Sequence, residues 1–264
     1  MRIATWNVNS LKARLARVEE WIAYAKPDVL CLQETKLADA QFPTAFFFML
    51  GYEVAYHGEG RWNGVAIASR VGLDKVVAGF PAGEPSDPEA RLISANAGGV
   101  QVASLYVPNG RAVGTEHYNR KLAWLARVLE GLSTSAGPGS PMVLCGDFNV
   151  APEDRDVWNP AAFVDATHVS EPERQALGRL RDWGLVDAFR LIHQDPGLFS
   201  WWDYRAGDFH MGRGMRIDLV YVTKPLADRV RWALIDRNAR KGKLPSDHAP
   251  VLVDIDDLPE ASSA

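Results

Sequence analysis

The stretch Met142–Val150, read Met-Val-Leu-Cys-Gly-Asp-Phe-Asn-Val, restricts the fold more than any other segment. An apolar run between Pro141 and Gly146 suits a fully buried strand. The run stops at a glycine, and Asp147 and Asn149 follow at i and i+2. With the backbone still extended, both side chains project from one face at the strand's end. A carboxylate there can take a proton from water, and a neighbouring amide can hold that water in place. A Gly-Asp pair after a strand is also ordinary turn chemistry. The weight comes from repetition, because other strand ends in this chain finish in the same style.

In chain order, Ile3–Val8 reads as a strand exiting at Asn7 and Asn9. Leu11, Leu15, Val18 and Trp21 then recur at helical spacing, with Ser10 placed as the cap. Val29–Glu34 is a second buried strand with polar residues at its exit. A helix is expected over Ala38–Leu50, and strands over Tyr52–His57, Gly64–Ser69 and Leu73–Ala78. Phe80–Glu89 reads as a loop, and Ala90–Asn96 with Val100–Val107 as a hairpin across Gly98-Gly99. An amphipathic helix follows over Thr115–Leu132, then the Met142–Val150 stretch, the loop-like segment Ala151–His168 and a helix over Glu171–Trp183. Phe199–Tyr204 is expected to be a short strand, followed by strands at Met215–Val222, Val230–Arg237 and up to Ile255.

No linker or low-complexity block divides the 264 residues. The two halves share a pattern of strands, helices and polar strand exits. The economical fold is a single α/β domain over 1–258, a sandwich of two sheets with helices on both outer faces, and a disordered tail over 259–264. No apolar run is long enough to span a bilayer, and the start Met1–Trp6 runs straight into a strand without a signal peptide. Cys31 and Cys145 sit inside apolar runs as buried thiols rather than a bridge, which fits a cytoplasmic protein. The formal charge of −4 argues against indiscriminate polyanion binding. It leaves room for a local basic face or bound metal ions.

The polar strand ends collect Asn7, Glu34, Tyr106, Asp147, Asn149, Asp218 and the pair Asp247-His248. Oxygen-rich and without cysteine, the set suits a hard divalent cation such as Mg²⁺ or Mn²⁺, and zinc would call for more His or Cys. Glu34 reads either as a solvated residue opening a loop or as the main metal ligand. Asp218 lies in the apolar run Met215–Val222, where an unpaired carboxylate is costly. Its partner is either an arginine, as a structural salt bridge, or His248, whose tautomer it would fix and whose pKa it would raise. His248 itself is either a turn residue or part of a site.

At these residues the chain resembles the exonuclease III family of apurinic/apyrimidinic endonucleases, within the endonuclease/exonuclease/phosphatase superfamily. The matching blocks run in order along nearly the whole chain: Thr5–Asn9, Leu32–Lys36, Gly64–Ile67, Tyr106–Gly110, Gly146–Val150, Trp183–Asp187, Phe199–Arg205, Arg216–Asp218 and Ser246–Pro250. The resemblance implies a four-layer α/β sandwich of two mainly antiparallel sheets flanked by helices, with the site where the sheets' strand ends meet. It assigns metal binding to Glu34 with Asp247 and Asn9. It gives Asp147 the activation of water and Asn149 its orientation, and it puts Asn7 among the site residues. His248, paired with Asp218, would contact the phosphate, Tyr106 would stabilise developing charge or assist the leaving oxygen, and Asn109 would touch phosphate. Some relatives carry Asp at the position of Asn9, which here lowers the local negative charge.

The same resemblance places Trp201, Met215 and Ile217 around a slot for a flipped, baseless deoxyribose, although core packing would use the same residue types. Lys36, Arg61, Arg111, Arg205, Arg213, Lys241 and Lys243 lie in loops near the motif ends. They are either solvated surface charges or a set that tracks backbone phosphates. The implied function is a monomeric, Mg²⁺-dependent DNA-repair endonuclease that cuts duplex DNA 5′ to abasic sites and also acts at 3′ ends as exonuclease and phosphatase. The alternatives are a phosphoesterase of the superfamily acting on RNA or phosphoinositides, and a catalytically silent DNA-binding module.

Overall fold

A computed structural model describes residues 1–80, 87–135 and 137–258. The expected tail 259–264 and residues 81–86 of the expected Phe80–Glu89 loop lie outside them. The chain begins with β1 (Arg2–Asn7), α1 (Leu11–Ala25), β2 (Val29–Gln33), α2 (Thr44–Met49), β3 (Glu53–His57), β4 (Val65–Ser69) and β5 (Asp74–Ala78). Then come β6 (Leu92–Ala97), β7 (Val100–Tyr106), α3 (Glu116–Ser135), β8 (Met142–Asp147), α4 (Glu171–Trp183), β9 (Leu185–Asp187) and α5 (Ala188–Ile192). The last part holds α6 (Asp208–Met211), β10 (Asp218–Thr223), α7 (Lys224–Ala227), β11 (Val230–Ile235) and β12 (Val251–Ile255).

One sheet has the order β11-β12-β1-β2-β4-β3 and the other β5-β6-β7-β8-β10-β9. Each is built around one parallel pair, β1/β2 and β7/β8, and every other strand contact is antiparallel. Strand alternation explains the continuous apolar runs. Along β8, Val143 and Cys145 face the core between the sheets, with Ile3, Cys31 and Val220. Met142 and Leu144 face the opposite way, into a core under α3 and α4 with Trp124, Leu125, Leu177 and Leu180. On the other sheet Ala4 and Trp6 pack against Val18, Trp21 and Ile22 of α1. The order is helices, sheet, sheet, helices, and the four-layer expectation holds. No helix among the described residues is long and apolar enough to cross a membrane.

Glycine is required at the end of β8 because Gly146 (φ 147°) faces Leu105 of β7, and a Cβ there would run into the Leu105 carbonyl. Several local expectations change. The helix over Ala38–Leu50 is split into a 3₁₀ turn at Asp39–Gln41 and α2, because Pro43 removes a backbone donor between them. Ser10 stands at the start of α1, but its side chain caps nothing. The N–H groups of Ser10 and Leu11 instead donate to the carbonyls of Glu34 and Thr35, at 2.7 and 3.0 Å. Phe199–Tyr204 is not a strand; Trp201 makes single bridges to Met215 and His248. The strand expected from Met215 begins only at Asp218.

Candidate active site

The topology brings strand ends of opposite direction to one edge of the sandwich. Asn7, Gln33, Tyr106 and Asp147 are the last residues of β1, β2, β7 and β8. Antiparallel β10 starts at the same edge, so its first residue, Asp218, pairs directly with Asp147. β12 runs antiparallel to β1, and the Asp247-His248 segment therefore enters this edge just before Val251, which pairs with Thr5. A buried bridge of Gln33 Nε2 to Thr5 Oγ1 (2.9 Å) and to Ser104 Oγ (3.0 Å) ties the two sheets together beneath it.

His248 Nδ1 donates to the Asp218 carboxylate, 2.8 Å from Oδ2 and 3.1 Å from Oδ1. Of the two partners considered for Asp218, the structure pairs it with the histidine. Ser200 Oγ donates to Asp218 Oδ2 at 2.6 Å and accepts from the N–H of Ile217 and of Asp218. That arrangement aims Nε2 of His248 at Asp147 Oδ2, 3.8 Å away. The gap is too long for a direct hydrogen bond, and an oxygen atom beside the pair could reach both. Burial opposes charging His248, but the carboxylates of Asp218, Asp147 and Asp247 outweigh it and raise its pKa to about 10. Burial, reinforced by Asp218 and Glu34 against the pull of His248 and Asn7, raises that of Asp147 to about 7.

The Asn7 amide donates to Glu34 Oε1 (2.8 Å) and to Asp147 Oδ2 (2.9 Å), linking the ends of β1, β2 and β8. Lys36 pairs with Glu34 Oε2 at 2.8 Å and donates to Asn9 Oδ1 at 2.5 Å. Asp247 accepts from Asn9 Nδ2 (2.9 Å) and from the Trp201 indole (3.1 Å). Ligand atoms of Glu34, Asp147 and His248 lie within 4.8 Å of one another. The raised pKa of Asp147 reflects crowding of negative charge in a desolvated place, the condition a hard divalent cation relieves. Oxygen donors dominate the surroundings, and Cys31 and Cys145 are buried free thiols of the core between the sheets. The residues present therefore fit a hard cation better than a thiophilic one.

Tyr106 is partly exposed beside this group. Burial of its phenol, then the charges of Glu34 and Asp147, push its pKa up, so it keeps its proton. The Arg91 guanidinium lies 4.6 Å from the centre of its ring. Asn149 has a left-handed backbone (φ 52°) and donates through Nδ2 to the Val107 carbonyl at 2.9 Å. Asn109 Nδ2 reaches Asn149 Oδ1 at 3.3 Å. Met215 and Ile217 are buried in a small apolar group with Ala151 and Val157, and partly exposed Trp201 packs on it. Arg61, Arg111, Lys241 and Lys243 are exposed in loops, Arg205 is exposed at the start of a 3₁₀ turn, and Arg213 lies over the Trp158 ring.

Sequence reasoning missed Ser200, Ser246, Lys121, Glu173 and His168. Ser246 Oγ donates to the Asn7 carbonyl at 2.6 Å and accepts from His248 N–H at 3.2 Å, which joins β1 to the histidine segment. Lys121 carried a signal in the chain: it falls on the apolar stripe of its helix. As a whole the group offers a base poised near neutrality, an imidazolium opposite it, amide donors and a protonated phenol. That combination can hydrolyse an anionic ester.

The sequence pattern of the Endonuclease/Exonuclease/phosphatase family matches residues 4–248. The exodeoxyribonuclease of Bacillus subtilis is 33% identical over 258 residues, covering 95% of this chain and 98% of that protein. An AP endonuclease from Archaeoglobus fulgidus superposes with a TM-score of 0.93 at 40% identity, over 97% of this chain and 99% of its own. The 3′ phosphatase NExo from Neisseria, bound to product DNA hairpin, gives a TM-score of 0.93 at 39% identity, with the same two coverages of 97% and 99%.

Proposed function

Because the chain belongs to the endonuclease/exonuclease/phosphatase family, we propose that it is a DNA-repair nuclease that hydrolyses the backbone 5′ to abasic sites and cleans 3′ ends. The observation that carries this reading is the 3.8 Å approach of His248 to Asp147 from different sheets, with Asp218 behind the imidazole. Names of similar proteins (exodeoxyribonuclease, AP endonuclease, a 3′ phosphatase bound to DNA) support DNA over RNA or phosphoinositides.

Asp147 accepts the proton of the attacking water while Asn149 orients it, and the new P–O bond forms as the bond to the 3′ oxygen breaks. His248 donates through Nε2 to a non-bridging phosphate oxygen and offsets its growing charge. Tyr106 donates to the departing oxygen, leaving a 3′-hydroxyl and a 5′-deoxyribose phosphate. Asn7 holds Glu34 and Asp147 in register, and Asn109, Lys36 and Arg111 bind flanking phosphates. Trp201, Met215 and Ile217 line the slot for the baseless sugar, which is cheaper to extrude than an intact nucleotide. Glu34, with Asp247 and Asn9, would hold Mg²⁺ or Mn²⁺, which when bound supplies Lewis-acid charge to the phosphate. The enzyme acts as a monomer in the cytoplasm, a reducing setting that suits its two free thiols.

A second reading, a 3′-end phosphatase with little incision activity, is favoured by the Neisseria phosphatase being as similar as the archaeal endonuclease. One assay separates the two. Labelled duplexes carrying an internal tetrahydrofuran site, a 3′-phosphate at a nick, or neither are incubated with Mg²⁺ or with EDTA. Incision at the tetrahydrofuran in Mg²⁺ alone supports the main reading, and loss of the 3′-phosphate with an intact tetrahydrofuran strand supports the second. Binding with no turnover of any duplex would leave a silent DNA-binding module.

A further inference from the structure

Helix α3 turns Tyr118, Trp124, Leu125, Val128 and Leu132 inward, and Lys121 lies on the same stripe with no exposed surface. An ammonium buried this way is costly unless it is fully partnered. Its Nζ donates to the Asn149 carbonyl at 2.6 Å and, at longer range, to the Asn109 carbonyl (3.3 Å) and Thr167 Oγ1 (3.4 Å). It also forms an ion pair with Glu173 of α4, which is equally buried. The Glu173 carboxylate accepts from Thr167 Oγ1 (2.8 Å), the N–H of His168 (3.0 Å) and both N–H (3.1 Å) and hydroxyl (2.6 Å) of Ser170. Despite burial, Lys121 and these donors hold that carboxyl below its usual range.

One charge pair therefore joins three loops: Val107–Arg111, Asp147–Ala151 and Thr167–Ser170. His168 adds a second hold, with Nδ1 2.5 Å from the same Asn149 carbonyl. The Val107–Arg111 loop rests directly on the lysine stem. A Cβ at Gly110 would come within 2.9 Å of Lys121 Cδ and 3.0 Å of Thr167 Oγ1. The two amides also meet side chain to side chain, with Asn109 Nδ2 3.3 Å from Asn149 Oδ1.

We infer that Lys121, tied to Glu173, is a positioning residue that aligns the amides of Asn149 and Asn109 by holding the carbonyls of both backbones. It touches neither water nor phosphate and acts only through those residues. The inference rests on the nuclease reading, in which Asn149 orients the water and Asn109 meets phosphate. A displacement of about 1 Å in such a group can cost on the order of a hundredfold in rate with little change in affinity.

The double variant Lys121→Met/Glu173→Gln removes both charges together, so neither is left buried and unpaired. Its melting, its kcat on the duplex substrate the parent cleaves, and its Kd for that duplex in EDTA are measured beside the parent. Expected are a cooperative melt, a kcat lower by about 10–100-fold and a Kd within about threefold. A folded double variant with kcat within about threefold of the parent, or with the whole loss in binding, overturns the inference. Should the double variant not fold, Thr167→Val decides. It keeps the ion pair and removes the hydroxyl between the Asn109 carbonyl and Glu173, so kcat should fall by about 3–10-fold, within the cost of one hydrogen bond. An unchanged kcat in that variant overturns the inference too. An inactive parent would instead sink the nuclease reading, whereas an active parent with an unaffected variant sinks only the positioning role.

Discussion

Replacing Arg216 with Met should cost the fold about 3 kcal/mol, the low end of the range for breaking a buried ion pair. Arg216 is 1% exposed and reaches two carboxylates at once. Its Nε lies 2.6 Å from Asp156 Oδ1 and its Nη2 2.8 Å from Asp187 Oδ2. Asp156 is fully buried, and Arg190 pairs with the same Oδ1 atom. The low end applies because Arg190 remains as a counter-ion after the change. For a domain of this size, about 2–4 °C per kcal/mol converts the loss to roughly 6–12 °C in Tm. Calorimetry at pH 7 measures it, and a Tm within about 2 °C of the parent would refute the reasoning.

The same pair sets a pH signature. Burial alone would raise the Asp156 pKa, but Arg216 and Arg190 outweigh it and hold it below the unfolded value. The stabilisation is therefore present above about pH 4, the unfolded carboxyl's pKa. It is lost as pH falls through the lower folded value. Arg216→Met should flatten this acid limb of the Tm–pH curve. A limb as steep as the parent's would assign it to other carboxylates.

Three other outcomes are expected. Asp147→Asn should lower kcat by about 10²–10⁴-fold, the span for losing a general base, while duplex binding in EDTA persists; an unchanged rate removes Asp147 from the mechanism. Ser200→Ala deletes the 2.6 Å bond to Asp218 and should destabilise by about 1–3 kcal/mol, with kcat reduced; equal stability and rate would show that Asp218 is held without it. Mg²⁺ at a hundred times its Kd should stabilise the protein by about 2.7 kcal/mol, read as a Tm increase reversed by EDTA. A Glu34→Gln variant responding as strongly as the parent would place the ion elsewhere.

The layers were legible because alternate residues of each buried strand serve different cores, which makes the run Met142–Cys145 apolar throughout. Chain-local signals did less well where tertiary partners compete with them. Ser10 has the right residue type for a cap, yet the backbone of Glu34 and Thr35 takes over that role. Asp218 was recognisable as a carboxylate in need of a partner. Whether an arginine or His248 would supply it depended on which strands pair, and Ser200 was invisible because its role comes from Asp218, 18 residues further along the chain, which only the fold brings against it.

By itself the chain determined the residue types and their order: apolar runs of strand length, glycines where backbones approach, and acids, amides and one histidine at run ends. Those follow from local sterics and solvation, which a linear pattern records. Only the tertiary structure decided that β8 and β10 run in opposite directions and pair Asp147 with Asp218. It alone brought His248 across from the other sheet to 3.8 Å from Asp147. The shifts of pKa, the Lys121–Glu173 pair and the shared edge all depend on distance through space inside a desolvated interior, and sequence separation carries no measure of that distance.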